Sequence, residues 1–435
     1  MLELLEQATA AANQGNWSLL NQCLQHLPLG MNATDAEAES APLNETDLEQ
    51  VLNLALEVLD AGDFRERWEV AKLFPKLGER AIAPLIEILE DDEAEMEVRW
   101  FAGRILAEFN HPTVMITLVN LLKTSEDEDL AAMAASALSS LGNSAIDALA
   151  GLLAESETRL LATTALSQIR RPEIIEPLLS VVHDSQVAVR STAIEALSSF
   201  RDSRIPLILL EALEDGAALV RKEAVAGLGL RTDLWAELDL LHRLQPLLYD
   251  FNRDVCQQAA LALGRSKTDE AAEALFEVIQ SPATSVPLQI EFIRALGWVE
   301  TRKALDYLQQ SLANVSVEGV HEIIQVLGRV EEPELQFTAA QILLDFFYSE
   351  HPAAQSIPIR QALAQAWGHL GEHRSIDALL RLLADPVDSV RLHAIAALKH
   401  FPTAYQQLEQ LAMDENLTPA LKEGIAIALA EWQVE

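Results

Sequence analysis

One phrase recurs along this chain: an aspartate, six residues later an arginine preceded by a valine, then alanine and leucine at helical spacing. Asp184 and Arg190, Asp215 and Arg221, and Asp385 and Arg391 keep that offset, with Val189, Val220 and Val390 before the arginines. Tandem copies of a small unit produce such regularity, because each copy must present the same pair to the same neighbour. A chain of 435 residues also exceeds the size at which one hydrophobic core stops growing. The pattern therefore predicts stacked units rather than one globule.

The units read as helix pairs of about 30 residues from residue 63 onward. A first helix carries the arginine and closes on a Leu-Gly pair at Leu77-Gly78, Leu141-Gly142, Leu263-Gly264, Leu296-Gly297, Leu327-Gly328 and Leu370-Gly371. There glycine is expected to take the left-handed conformation that ends helices. A second helix follows with apolar residues at helical spacing, as at Ala81, Ile82, Leu85 and Leu89 or at Ile376, Leu379, Leu380 and Leu383. A lone pair leaves its apolar stripe wet, whereas stacking buries both sides. The fold class predicted is all-α, a right-handed α-solenoid of HEAT-like helix pairs over 63–435.

Ahead of it, residues 1–30 read as an N-terminal helical cap, 31–44 as an acidic linker and 45–62 as a capping helix started by Asn44 with Asp47 three residues on. Phe346, Phe347 and Tyr348, and the stretch 233–240, lie in longer units and are expected to be edge insertions.

Charge excludes several functions. The formal net charge is -36, from 31 basic and 67 acidic residues, which repels phosphate backbones and anionic lipid. Nucleic acid is therefore not an expected partner. No Lys or Arg precedes Arg65, so no leader peptide is expected, and no apolar run reaches the ~18 residues of a membrane helix. No membrane insertion is expected. The two cysteines, Cys23 and Cys256, have no paired spacing and fit a reducing, cytoplasmic setting.

Motifs that could carry chemistry fail on context. His369-Leu-Gly-Glu372-His373 has the H-x-x-E-H spacing, but Leu370-Gly371 stands where other units end a helix, and one unbroken helix is needed to aim both imidazoles at zinc. His321-Glu322 is the one His-Glu dipeptide, too few for an iron site built from several converging pairs. Gly227-Leu-Gly229 has Thr232 where a third glycine would stand, and no strand precedes it. No catalytic residue and no metal site is nominated; the enzyme question stays open, leaning to a noncatalytic chain.

The Asp-Arg pairs are expected to form a structural ladder of carboxylate–guanidinium hydrogen bonds from unit to unit. Cys256 lies six residues after Asp250, in the arginine's place; Cys23 and Cys256 are packing residues or, alternatively, thiol ligands. Acidic runs at residues 87–97 and 126–129 are solvated edges or a surface that steers a basic partner. Second-helix positions Glu87, Asn120, Glu277 and Gln309 are candidates for a partner face.

The unit pattern resembles HEAT repeats of the phycobilisome-lyase type found in cyanobacteria. Residues Glu66 to Asn110, ERWEVAKLFPKLGERAIAPLIEILEDDEAEMEVRWFAGRILAEFN, are similar to the IscA-interacting HEAT-repeat branch of that family. That resemblance implies a smaller protein partner, either an IscA-type iron–sulfur cluster carrier or a phycobiliprotein. An iron–sulfur cluster or bilin would come only through such a partner. The function expected is a noncatalytic protein-interaction scaffold, with a bilin lyase or chaperone-lyase as the alternative.

Overall fold

The computed structural model describes residues 2–27, 29 and 43–432, so nearly all of the expected linker 31–44 lies outside the described residues. Among the described residues every regular element is an α-helix or a 3-10 turn. They fall into two compact units, Met1–Arg201 and Asp202–Glu435.

The first unit opens with helices Leu2–Asn13, Trp17–Gln25 and Glu45–Ala61. Asn16 starts the second by accepting from the Leu19 amide at 3.1 Å. Asn44 and Asp47 start the third with reciprocal bonds of 2.9 and 3.1 Å, a capping box. Repeats then follow. First helices Phe64–Ala71, Met96–Leu106, Glu128–Ser140, Arg159–Gln168 and Val187–Leu197 pack side by side in chain order. Second helices Ile82–Glu90, Pro112–Thr124, Ile146–Leu152 and Ile175–Leu179 accompany them. Leu85, Leu89, Phe101, Leu106 and Leu118 are fully buried between the two rows. Each contributes about 1.5–3 kcal/mol before the entropy of ordering is subtracted.

The second unit repeats the scheme. Its first helices are Ala218–Gly229, Arg253–Arg265, Val286–Trp298, Val317–Leu327, Ile357–Leu370, Asp388–Leu398 and, last, Pro419–Trp432. The first six pack side by side in that order.

The Leu-Gly expectation needs correction here. Gly78, Gly142 and Gly371 have φ between 63° and 72° and do turn the chain out of a helix. Gly264 and Gly297 lie inside their helices, and Gly328, at a helix end, keeps φ -67°. The reason for glycine there is proximity. A β-carbon at Gly264 would lie 2.6 Å from the Ala295 carbonyl oxygen, one at Gly297 2.2 Å from Val326 Cγ1, and one at Gly328 2.6 Å from Ala366 Cβ.

The expected insertion at Phe346 to Tyr348 is the end of one long second helix, Pro333–Tyr348. Phe346 is buried, and Phe347 sits edge-on to the buried Trp367 at 5.4 Å. The stretch 233–240 continues the 3-10 helix Thr232–Leu234 into a turn, where Asp239 adopts φ 49° before the buried Leu240 begins the next helix.

Candidate functional site

The repeated arginine occupies the fourth residue of its helix. Arg190 and Arg221 each donate Nη1 to the main-chain carbonyl of the aspartate six residues earlier, Asp184 and Asp215, at 2.7 Å, and Arg391 does so to Asp385 at 2.9 Å. The aspartate side chain does two other things. It accepts the amide two residues on, 2.8 Å to Gln186, 2.7 Å to Ala217 and 2.9 Å to Val387. It also meets an arginine of the preceding repeat: Arg159 to Asp184 at 2.6 Å and Arg360 to Asp385 at 2.7 Å. Arg221 in turn holds Asp250 of the following repeat through two bonds of 2.8 Å. The pairing is thus between repeats, while the bond within the phrase goes to a main-chain oxygen.

That fourth position extends further than the Asp-Arg spacing reveals. Arg67 donates to the carbonyls of Leu59 and Asp60 at 3.0 and 2.7 Å and pairs with Glu95 and Glu97. Arg99 donates to Leu89 at 3.0 Å and Gln289 to Ile279 at 2.8 Å. All these acceptors lie in the last turn of the preceding helix or follow it, where carbonyls lack helical partners. Helical numbering from each cap would have found them, since the residue type varies but the fourth position does not. Cys256 fills the same slot and donates Sγ to the Asp250 carbonyl at 3.1 Å.

Mutual binding moves both members of the Arg221–Asp250 pair. The Asp250 carboxyl is held below the ordinary carboxylate range by the guanidinium bonds, and Arg221 is raised by the same contact. Burial, with Asp250 close by, pushes the Cys256 thiol up. Both cysteines are buried. Among the described residues no three His, Cys, Asp or Glu side chains are grouped to hold a metal ion.

The other motifs come apart. The helix carrying His369 ends at Leu370, Gly371 reverses the chain at φ 65°, and His373 starts a separate 3-10 turn. Gly227 and Gly229 lie within the helix Ala218–Gly229. Glu322 of the His-Glu dipeptide is buried and takes Arg294 through bonds of 2.8 and 3.0 Å, an inter-repeat clasp.

Glu87, Asn120, Glu277 and Gln309 are exposed on second helices, on the helices Ile82–Glu90, Pro112–Thr124, Asp269–Gln280 and Arg302–Ser311. Asn120 borders an acidic hollow with Glu90, Asp92, Glu126 and Asp127. Between the last two of those helices, Phe276 and Tyr307 stack at 4.3 Å.

A larger feature lies on the first helices of the first unit. An open groove of about 790 Å³ is lined by Phe64, Met96, Trp100, Arg104, Met133 and their small neighbours. The Arg104 guanidinium sits 4.3 Å from the Trp68 ring and 5.5 Å from the Trp100 ring. Phe64 stacks on Trp68 at 6.2 Å and meets Phe101 edge-on at 5.4 Å. Phe64 is 56% exposed and Met96 43% exposed, large apolar groups left facing water. Phe64 with Trp68 and Trp100 with Arg104 are each four residues apart, on one helical face, but the cluster needs two repeats to form.

Rows of paired helices joined by repeated inter-repeat ion pairs define a tandem helical-repeat protein, an α-solenoid in class. HEAT repeats match residues 82–161, 154–229, 205–287 and 238–328, more than half of the chain, and the chain belongs to the HEAT-repeat family. No curated protein matches it in sequence. Among solved structures, importin beta is similar over 97% of this chain and 63% of its own, with 13% identity and a TM-score of 0.53. Kap95p, in a structure describing its binding to RanGDP, is similar over 98% of this chain and 63% of its own, at 14% identity and TM-score 0.54. Kap95 in complex with Nup1 gives 98% and 67%, at 15% identity and TM-score 0.54. The chain thus spans under two thirds of the first two, and the likeness is one of fold. No described helix is long and apolar enough to cross a membrane.

Proposed function

We propose that the protein is a noncatalytic scaffold that holds a smaller protein, and that the aromatic groove of its first unit is the anchor. The observation that carries this reading is the guanidinium of Arg104 held against two partly buried indoles beside the exposed Phe64 and Met96. Rigid aromatic and arginine anchors on a fixed scaffold dominate binding energy at protein interfaces. Family membership supports the same reading, because helical repeats present extended surfaces to partners. The Asp-Arg ladder, by contrast, is cohesion: its charged groups are already paired. Glu87, Asn120, Glu277 and Gln309 remain candidates for additional polar contact, subordinate to the groove.

The partner suggested by the resemblance of residues 66–110 is an A-type iron–sulfur cluster carrier, met in the cytosol, where two buried unpaired thiols persist. Titration calorimetry of the full chain with the carrier from the same genome tests this. A saturable complex that Trp100→Ala weakens supports it. Covalent attachment of bilin to a phycobiliprotein, seen as visible absorption after co-expression, would instead establish the lyase and overturn the scaffold.

A further inference from the structure

The geometry points to a basic amphipathic helix of a partner protein as the occupant of the first-unit groove. The inference rests on the scaffold reading and names what the groove takes. Three first helices line the groove, Phe64 coming from one of them and the other two supplying rows of residues. Met96, Trp100, Arg104 and Glu108 follow one another at four-residue intervals along Met96–Leu106 and just beyond its end. Facing them on Glu128–Ser140 are Ala132, Ser136 and Ser140, again four apart, beside Asp129, Met133 and Ala137. Four-residue rows are ridges, and the side chains of a further helix fit into the grooves between them at an interaxial distance of about 8–10 Å.

The second row is small enough at Ala132, Ser136, Ala137 and Ser140 to admit those side chains. Met133 and Met96 add unbranched chains that adapt to the shape presented. The groove is open along its length rather than closed over, which suits an elongated apolar face. A continuous apolar face at four-residue spacing is what an amphipathic helix offers.

Charge sets the rest. Glu97, Glu108 and Asp129 stand at the groove. Glu97 is paired with Arg67, but Glu108 and Asp129, both exposed, form no ion pair among the described residues. The one cation, Arg104, already lies over two indole faces. Lysines or arginines flanking the apolar face of an incoming helix would meet those two free carboxylates, and the chain's net charge of -36 would speed their approach.

The test is fluorescence anisotropy with a labelled peptide of leucine and lysine, about five helical turns long and with leucine on one face. A leucine–glutamate counterpart and a proline-interrupted version serve as comparisons, all against the full chain. The lysine peptide should bind, and the other two should not bind at the same concentrations. Trp100→Ala should weaken binding at least about tenfold, as expected for an interface anchor. So should the pair Glu108→Lys with Asp129→Asn, whose folding is checked by its melting curve. Asp345→Lys with Glu423→Gln makes the same change in net charge on exposed residues of the second unit and should leave affinity within about twofold. Equal weakening by that control pair, equal binding of the glutamate peptide, or indifference to both groove variants would overturn the assignment. If the peptide fails while the carrier still binds in a Trp100-dependent way, the occupant is wrong and the scaffold stands. If the carrier too ignores Trp100, the scaffold reading of the groove falls with it.

Discussion

The two compact units close the seams between their first helices in different ways. In Asp202–Glu435 the seams are tight at glycine. A β-carbon would lie 2.7 Å from Ala262 Cβ at Gly229, 2.6 Å from Ala295 O at Gly264, and 2.9 Å from Ala397 Cα at Gly368. In Met1–Arg201 a β-carbon at the comparable glycine, Gly103, would meet side-chain ends alone, Met133 Cε at 2.3 Å and Leu89 Cδ1 at 3.4 Å. The seam beside it opens into the groove lined by Trp100 and Met96. Backbones in contact leave nothing for a ligand to enter, whereas a seam filled by long side chains has room that those side chains can reshape. On the proposed reading, cohesion and recognition fall to different seams although the repeat is the same.

The glycine contrast yields the largest expected effect. Gly264→Ala forces a methyl against a main-chain carbonyl, and should lower unfolding free energy by about 3 kcal/mol, the upper end of overpacking costs. Gly103→Ala asks only that Met133 swing aside, and gains the better helix propensity of alanine, so its net cost should be about 1 kcal/mol or less. Denaturant midpoints of the two variants measure this. Equal losses would show that the first unit is as tightly seamed as the second.

Next in size is the ladder. Arg221→Ala leaves Asp250, with its side chain 7% exposed, without its cation. The expected loss is about 2–3 kcal/mol, at or just under the range for breaking a buried pair, because Arg221 itself keeps some contact with water. Partner affinity should not change, and loss of affinity in a folded variant would move the ladder from cohesion to binding. Acid sharpens the same point. The folded Asp250 titrates below its unfolded value of about 3.9, so its contribution is complete above that pH and is lost as pH falls through the folded value. Asp250→Asn should therefore lower stability at neutral pH and flatten the loss of stability as pH falls below about 4. An unchanged acid profile would place the sensitive carboxylate elsewhere.

How much of this was legible beforehand depends on whether a feature lies within one helix or between helices. Asn44 with Asp47 was readable as a helix start because a capping box is local. The Asp-Arg phrase announced the repeat for the same reason. Its bonding partners were not readable: Arg159 and Arg360 lack an aspartate six residues before them, and Asp250 serves Arg221 twenty-nine residues away. Gly264 and Gly297 looked like helix ends because Leu-Gly elsewhere is one; only the neighbouring helix reveals why a side chain is excluded. The groove is not legible in the sequence, which sets out polar second-helix residues such as Glu87 and Gln309 one helix at a time. Its aromatic residues belong to first helices whose faces meet only after stacking.

Recognition supplies the third effect. Trp100→Ala removes one of the indoles against Arg104 and should weaken partner binding about tenfold, close to 1.4 kcal/mol. It should cost less stability than Gly264→Ala, because the ring is only partly buried. Calorimetry and thermal melting on one preparation separate the two losses. A variant that melts early but binds normally would put Trp100 with the cohesive residues and erase the difference between the seams.

Cys256 gives the smallest effect and the finest distinction. It sits in the ladder's fourth position, 2% exposed, and donates to the Asp250 carbonyl as an arginine would. Its thiol is pushed up by burial and by Asp250 nearby, which disfavours the thiolate that metal binding and alkylation require. Serine keeps the donor and loses only a little apolar volume, so Cys256→Ser should change unfolding free energy by about 1 kcal/mol or less. Alkylation at Cys256 in the native protein should be slow and should accelerate on unfolding. Rapid native labelling, or loss of a bound metal or partner in the serine variant, would show that this rung of the ladder binds something other than its own chain.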